Sequence, residues 1–451
     1  MLRQAGLFYG LPIALALGLC LSASAVQAEA SAAKPANAKT MPADPEQALE
    51  QAVEVARAGD NKRGLRLLDA LIKAHPDFYP ARRDFIVVAA WDNQCELAWQ
   101  RFQALKSQAQ YEDYLVQPLS ECLRDMRRVE EAKALLKKAA AKNPDSEDIK
   151  FARQDLQQAM YWRNRPELSV NVGSSESDQG AREWHVQTRY SHPLSQATRV
   201  YARYLIKRAT DPQFDTGNMY RAGIGVRTWL SDDDLLDVEA STDVKRGEEQ
   251  GARLDYTHLL GRRWEFGATY SSYYEDVSLR AKAQGISANN AGLSTAFHTL
   301  DYRYEWSASV SRSHFSDTNT RNSASTAGSY AFELKPEREM RVLLDLYQAD
   351  NNLTNVVYYN PEHDFTATLS LRTDWVLDTK YERHVQHFTV YVADHEQRHY
   401  DSLINYGAGY GFELQISKKS AVNLQANYGR ASYDGNYEDE GSVELTYTRK
   451  F

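Results

Sequence analysis

The chain has 451 residues, 61 of them acidic and 53 basic, and a mean hydropathy of −0.60. That length suits two or three domains, and no nucleic-acid partner is expected from a net charge of −8. No apolar run reaches the roughly 20 residues of a membrane helix, but a β-barrel escapes that test because its strands are only half apolar.

The N-terminus has the parts of a secretory signal over residues 1–28: Arg3, an apolar region at 11–21, and the small-residue site Val26-Gln27-Ala28. Cys20 follows Leu19, where lipidation wants a small residue, so cleavage after Ala28 is the expectation. Residues 29–44, rich in Ala, Pro, Lys and Ser, read as a flexible linker.

Residues 45–165 change to Ala, Leu, Arg, Gln and Glu at helical spacing. The helices pair as 46–58 with 62–74, 80–91 with 95–107, and 112–126 with 129–141, before a closing helix at 146–163. Gly64, Ala98 and Ala132 hold equivalent places about 34 residues apart, the tetratricopeptide period. Pro76 and Pro144 end their helices, with Gln110 in the place between them. Three such repeats stack into a small solenoid, which serves either as a groove for a periplasmic protein or as a rigid spacer. Cys95 and Cys122 lie on helices that pack together, which makes a disulfide reasonable in an exported protein. Two buried thiols are the alternative, and so sparse a pair holds no metal.

From Pro166 to Phe451 the pattern alternates. Leu236, Val238 and Ala240 interleave with Asp237, Glu239 and Ser241; Tyr304, Trp306 and Val310 interleave with Glu305, Ser307 and Ser309. Strands are predicted at 167–174, 184–191, 198–207, 218–229, 234–243, 251–260, 264–276 and 289–299. The second half gives 301–315, 323–334, 338–350, 363–378, 382–394, 403–416, 421–432 and 440–451. About 16 half-apolar segments of this length predict an antiparallel transmembrane β-barrel. Connections after even strands are short, such as Ser231-Asp232-Asp233 and Lys335-Pro336-Glu337. Those after odd strands tend to be longer, as at 276–288, 350–362 and 394–402. Outer-membrane barrels keep short turns in the periplasm and long loops outside, so the helical domain is expected in the periplasm. The last strand puts Val443, Leu445, Tyr447 and the terminal Phe451 on one face, with Arg449 interrupting the frame. The fold class is thus α plus all-β, a helical domain followed by a barrel in outer-membrane lipid.

Parity assigns a lumen face. Asp237, Glu239, Asp243, Asp255, Glu265, Asp301, Glu305, Asp345, Asp374 and Glu444 are the candidate path residues, with Asp364 and Glu413 on the same side. Arg221, Arg227, Arg253, Arg303, Arg341 and Arg372 share that face. The barrel carries roughly 40 acidic and 30 basic residues, and rings of carboxylates favour cationic or neutral solutes. For any single carboxylate, pairing across strands is the competing role. Inward Tyr201, Trp229, Tyr273 and Tyr347 suit stacking on sugar rings, or a place in a girdle or plug.

His395-Glu396-Gln397-Arg398-His399 fits the HExxH pattern of zinc proteases. It follows a strand and falls in a predicted outside loop, whereas the zinc chemistry needs both histidines on one helix face. Neither a catalytic site, a metal nor a cofactor is expected.

Tyr358-Tyr359-Asn360-Pro361 with Asp364, Tyr381-Glu382-Arg383, the run Tyr406-Gly407-Ala408-Gly409-Tyr410-Gly411, and Tyr433-Asp434-Gly435 resemble the barrel end of poly-β-1,6-N-acetylglucosamine export porins. That resemblance implies a 16-stranded barrel joined to periplasmic tetratricopeptide repeats. It also implies export of a partly deacetylated, cationic biofilm polysaccharide through an electronegative lumen. The helical part here is much shorter than that family's repeat array. A second resemblance is to surface lipoprotein assembly modulators, small repeat domains on 14-stranded barrels that translocate lipoproteins.

Overall fold

A computed structural model describes residues 44–451, apart from 59, 106–111, 127, 154–155, 157–164, 196, 213, 232, 246–248, 261–262, 300–301, 336, 380–381 and 418. The expected signal segment, nearly all of the linker and Asp301 lie outside the described residues. The chain divides into two compact units at residues 162/163.

The first unit is built of helical hairpins: α1 (Pro45–Arg57) with α2 (Asn61–Ala74), α3 (Tyr79–Trp91) with α4 (Cys95–Leu105), and α5 (Asp113–Asp125) with α6 (Val129–Lys142). A further helix, α7, runs through 147–153. Side-chain caps start the first two helices, Asp44 accepting from Glu46 N and Asp60 from Arg63 N. Pro45 and Pro80 sit at helix starts, where a missing N–H costs nothing. Each helix turns one apolar stripe inward, so Leu68, Leu71, Ile86, Leu115, Leu119 and Leu123 are fully buried in one core. Gly64 lets α2 approach Ala56 of α1, where a Cβ would stand 2.8 Å from the Ala56 methyl. Ala98 and Ala132 hold the matching places and are fully buried. Cys95 and Cys122 are disulfide-bonded, with Cα atoms 5.0 Å apart, tying the start of α4 to α5.

The second unit is a closed antiparallel barrel in which every strand pairs with its chain neighbours and β1 pairs with β16. The strands are β1 (Glu167–Ser177), β2 (Arg182–Pro193), β3 (Thr198–Asp211), β4 (Phe214–Trp229), β5 (Asp234–Asp243), β6 (Gln250–Leu260), β7 (Trp264–Ser271) and β8 (Ala288–His298). The rest are β9 (Tyr304–Phe315), β10 (Thr320–Leu334), β11 (Arg338–Asn351), β12 (His363–Thr379), β13 (Glu382–Gln397), β14 (Leu403–Ser417), β15 (Ser420–Tyr433) and β16 (Asn436–Lys450). All 16 predicted strands are present. Closure removes every sheet edge, the condition for a sheet in hydrocarbon.

Register separates the two faces. Val172 pairs with Val186 and Val186 with Ile206 on the outer side, while their neighbours Asn171, Gln187 and Leu205 point inward. Ile224, Leu293, Leu369 and Leu445 are exposed on the outside, as side chains meant for lipid must be. Trp264, Phe297 and Trp306 cluster on that face near the short-turn end, the Trp264 and Phe297 rings 4.8 Å apart. Tyr304 and Tyr330 stand beside them. Tyr406, Tyr428 and Tyr437 are exposed toward the other end. These are the two aromatic girdles.

Two expectations are corrected. The strand predicted over 264–276 stops at Ser271, because residues 272–287 leave the wall and carry a short helix, α8 (Leu279–Ala283). The HExxH segment does not lie in a loop: β13 runs through Gln397, so His395 and Glu396 point to opposite faces of a strand. His399 sits in the following turn at φ 76°. A strand cannot bring those two histidines to one ion as a helical turn would, and no metal-holding group occurs among the described residues.

The barrel lumen as candidate functional site

The 272–287 loop folds into the barrel and docks on β3 and β4. Gly217 makes the approach possible, since a Cβ there would stand 2.8 Å from Leu279 Cβ and nearer still to its carbonyl. Leu279 then packs with Leu205, Met219 and Tyr273. The dock is held by charge. Arg203 binds Glu239 and Glu275 at once, its Nη2 2.5 Å and 2.6 Å from their oxygens. Arg221, 1% exposed, donates to Ser241 Oγ at 2.7 Å, lies 3.5 Å from Glu275 and covers the Tyr273 ring at 3.8 Å. Arg280 of α8 reaches Asp211, and Lys282 Nζ donates to Glu275 O at 2.6 Å. Burial pushes the Lys282 ammonium down to about 7.

The neighbouring carboxylates on this wall are paired too. Asp237 accepts from Tyr201 Oη at 2.6 Å and lies 3.5 Å from Arg189 and 3.8 Å from Arg227. Asp255 meets Arg253 at 2.7 Å, and Asp243 accepts from Lys245 N at 2.8 Å. Farther round, Glu305 meets Arg341 at 3.2 Å, and Asp374 meets Arg372 and His387 at 2.8 and 2.9 Å. Glu413 lies 3.4 Å from His387. Among these candidates, pairing across strands is the prevailing arrangement.

The exceptions stand elsewhere on the wall. Asp345 on β11 and Glu265 on β7 have no ion pair among the described residues. The same is true of Glu438, Glu440 and Glu444, which alternate with outward Tyr437, Val443 and Leu445 along β16. Glu444 accepts from Asn171 Nδ2 at 2.6 Å. Between these regions, β8 to β10 present small hydroxyls and amides inward, with Ser311 and Ser323 2.8 Å apart and Asn290 2.9 Å from Ser313.

The end of the barrel with the longer loops is knotted by one polar network. Asn319, fully buried, donates to Tyr358 Oη at 3.1 Å and Asn360 Oδ1 at 3.0 Å. Gln397 donates to Tyr359 Oη and accepts from Asp434 N at 2.8 Å. Tyr359 meets Tyr433 edge-on at 5.3 Å. Tyr358 stacks on Phe315 in a cluster with Val277 and Ala281 of the docked loop. Asp364, His395 and Ser432 form a chain with His395 2.8 Å from the carboxylate and 2.7 Å from the hydroxyl. That order resembles a hydrolytic triad, but Ser432 is 2% exposed, so the chain ties β12, β13 and β15 and offers no nucleophile to a solute.

Parity found Asp237 and Glu239 but left out Arg203, which the same alternation after Tyr201 would have added. Glu275 has the parity of Glu265 and Tyr273 within the expected strand 264–276 but was not singled out, and Lys282 carried no such signal, since an inward loop leaves no period. Tyr201, Tyr347 and Trp229 lie on inward positions of strands; Tyr273 belongs to the loop.

Two curated relatives are similar over part of the chain. The poly-beta-1,6-N-acetyl-D-glucosamine export proteins of Escherichia coli strain K12 and of Escherichia coli O157:H7 are each 26% identical over 304 residues. That match covers 66% of this chain and 37% of each relative, so the chain spans well under half the length of these relatives. A solved bacterial polysaccharide outer membrane secretin is 24% identical with a TM-score of 0.59, covering 64% of this chain and 99% of that one, a likeness of fold. The 16-stranded closure separates the chain from the 14-stranded alternative. The model of the PgaA membrane beta barrel domain matches residues 163–451, and the chain therefore belongs to that family of outer-membrane barrels.

Proposed function

We propose that this barrel exports a poly-N-acetylglucosamine-like polysaccharide across the outer membrane, passively and without catalysis, with the helical unit on the periplasmic side. The observation that carries this is the row Glu438, Glu440 and Glu444, carboxylates facing the lumen with no cationic partner among the described residues. The names of the relatives give the polymer as a poly-N-acetylglucosamine, and the family resemblance implies that it is partly deacetylated. A partly deacetylated amino-sugar chain bears spaced ammonium groups. Each one passing a hydrated carboxylate at about 4 Å gains on the order of 1 kcal/mol, enough to favour entry and too little to trap the chain. The small hydroxyls of β8 to β10 leave room for it and exchange hydrogen bonds with sugar hydroxyls.

This divides the acidic path residues read from the sequence into two groups. Asp345 and Glu444, with Glu440, face the solute, while Asp237, Glu239 and Asp255 hold the wall and its docked loop. The helical unit offers a polar cluster between α3 and α5 for a periplasmic partner. There Tyr79 Oη donates to Glu112 at 2.9 Å and Arg83 lies 5.4 Å from the Tyr114 ring. Burial and the Glu112 carboxylate push the Tyr79 hydroxyl up to about 12, so this donor stays protonated.

The test is complementation. Cells that make the polymer but lack their exporter should regain surface polymer on producing this chain. They should lose most of it again when Glu440→Gln and Glu444→Gln are combined. Full secretion by the double variant would refute electrostatic passage, and no secretion by the unaltered chain would refute export.

A further inference from the structure

Tyr391 is the inward residue of β13 between the outward Val390 and Val392, and it pairs with Gly407 of β14. A Cβ on Gly407 would lie 2.6 Å from the Tyr391 hydroxyl oxygen and 2.7 Å from its Cε1. A Cβ on Gly429 of β15 would be closer still to that oxygen. The ring therefore crosses the next two strands flat against the inner wall, which only glycine at both positions permits. A phenol held this way turns its other π face to the lumen.

Polar groups surround this face. Gly429 pairs directly with Glu440, so that carboxylate starts one strand spacing, about 4.8 Å, beyond the phenol oxygen. Asn405, two residues before Gly407 on the same face, has a buried amide oxygen without a hydrogen-bond partner. Asn427 lies on the same side, its Nδ2 3.4 Å from Ser442 Oγ.

We infer that Tyr391 and Glu440 form a saccharide subsite on the β13–β16 wall, taking one amino-sugar residue of the passing polymer. This rests on the export reading for its ligand. The flat apolar face of a pyranose ring stacks on Tyr391, and Glu440 receives the ammonium of a deacetylated unit. The arrangement discriminates as well as binds. A neutral oligosaccharide keeps the stacking and loses the charge contact, and a cation without a sugar ring keeps the charge contact alone.

The test measures binding separately from transport. A partly deacetylated β-1,6-linked glucosamine pentasaccharide is titrated by calorimetry into the full chain in detergent, each variant first shown to be folded by its heat-modifiable mobility. Tyr391→Ala should weaken binding by about three- to tenfold, the scale of one aromatic face, while Tyr391→Trp should hold it near the unaltered value. Gly429→Ala, which lifts the ring from the wall without removing it, should weaken binding as Tyr391→Ala does. Equal affinity in Tyr391→Ala and the unaltered chain, or no binding by the unaltered chain, overturns the subsite. Binding through Tyr391 in a chain that restores no surface polymer keeps the subsite and overturns export. Secretion with binding indifferent to Tyr391 does the reverse.

Discussion

Two stretches of the same barrel wall carry acidic side chains at the same inward parity and use them in opposite ways. On β3 to β6, each of Asp237, Glu239 and Asp255 meets an arginine, and Arg203 also grips Glu275 of the docked loop. On β16, Glu438, Glu440 and Glu444 meet no cation among the described residues. Alternation decides which way a carboxylate points, but the chemistry on the adjacent strands decides whether it is spent on the wall or left to a solute. The first stretch is an anchor and the second a surface for passage.

Breaking the anchor should have the largest effect. Arg203→Ala strips Glu239 of its arginine and leaves Glu275 with Arg221 at 3.5 Å in a nearly dry site, a loss of about 3–5 kcal/mol for removing one member of a buried pair. The barrel strands should still close, since their ladder is untouched, and the 272–287 loop should come free. Limited proteolysis from outside cells would then cut within 272–287 in the variant and spare the unaltered chain. Equal resistance would mean that the ion pairs do not hold the loop.

A smaller break tests the same dock without touching a charge. A methyl group on Gly217 collides with the Leu279 backbone, so Gly217→Ala should loosen the loop by about 1–3 kcal/mol, the usual cost of overpacking. The same proteolysis should show intermediate cutting. Cutting as slow as in the unaltered chain would place the loop elsewhere.

The dock also predicts a pH dependence. Burial lowers the Lys282 ammonium from 10.5 to about 7, with Lys207 and Arg221 disfavouring its charge and Glu275 and Asp276 favouring it. The docked state therefore binds fewer protons than the released state, and docking strengthens as pH rises from about 7 toward 10.5. Below about 7 both states are protonated and docking is weakest and level. The slope reaches at most about 1.4 kcal/mol per pH unit. Hydrogen exchange of the loop amides, corrected for intrinsic rate, should show more opening at pH 7 than at pH 9. Lys282→Met should flatten that difference, and a persisting slope would assign it to other groups.

Much of this architecture was legible in the sequence. The period-2 pattern carried all 16 strands, because half-buried strands in lipid cannot hide their alternation. Of the residues that carry the resemblance to export porins, the fold gathers Tyr358, Tyr359, Asn360, Tyr433 and Asp434 into one network at the barrel mouth. Three things were not legible. Residues 272–276 continue an alternating pattern and leave the wall all the same, because the pull on Glu275 comes from Arg203 and Arg221, more than 50 positions earlier in the chain. His395 and Glu396 look like a loop motif until β13 is seen to run through Gln397. Tyr391 reads as one more inward tyrosine, since its flat seat depends on Gly407 and Gly429 on two other strands.

The sharpest test of the contrast produces the smallest change in stability. Glu239→Gln and Glu444→Gln remove the same charge from inward positions of two strands. At Glu239 the change strips Arg203 of a buried partner and should cost a few kcal/mol. At Glu444 the glutamine oxygen still accepts from Asn171, so the barrel's unfolding in denaturant should move within about 0.5 kcal/mol, as at ordinary exposed sites. Polymer release should follow the opposite division: Glu444→Gln slows it by a few-fold, as one lost attraction of on the order of 1 kcal/mol requires. A Glu444→Gln barrel that unfolds early, or exports at the full rate, would show that β16 is wall as well, and that the solute runs over hydroxyls alone.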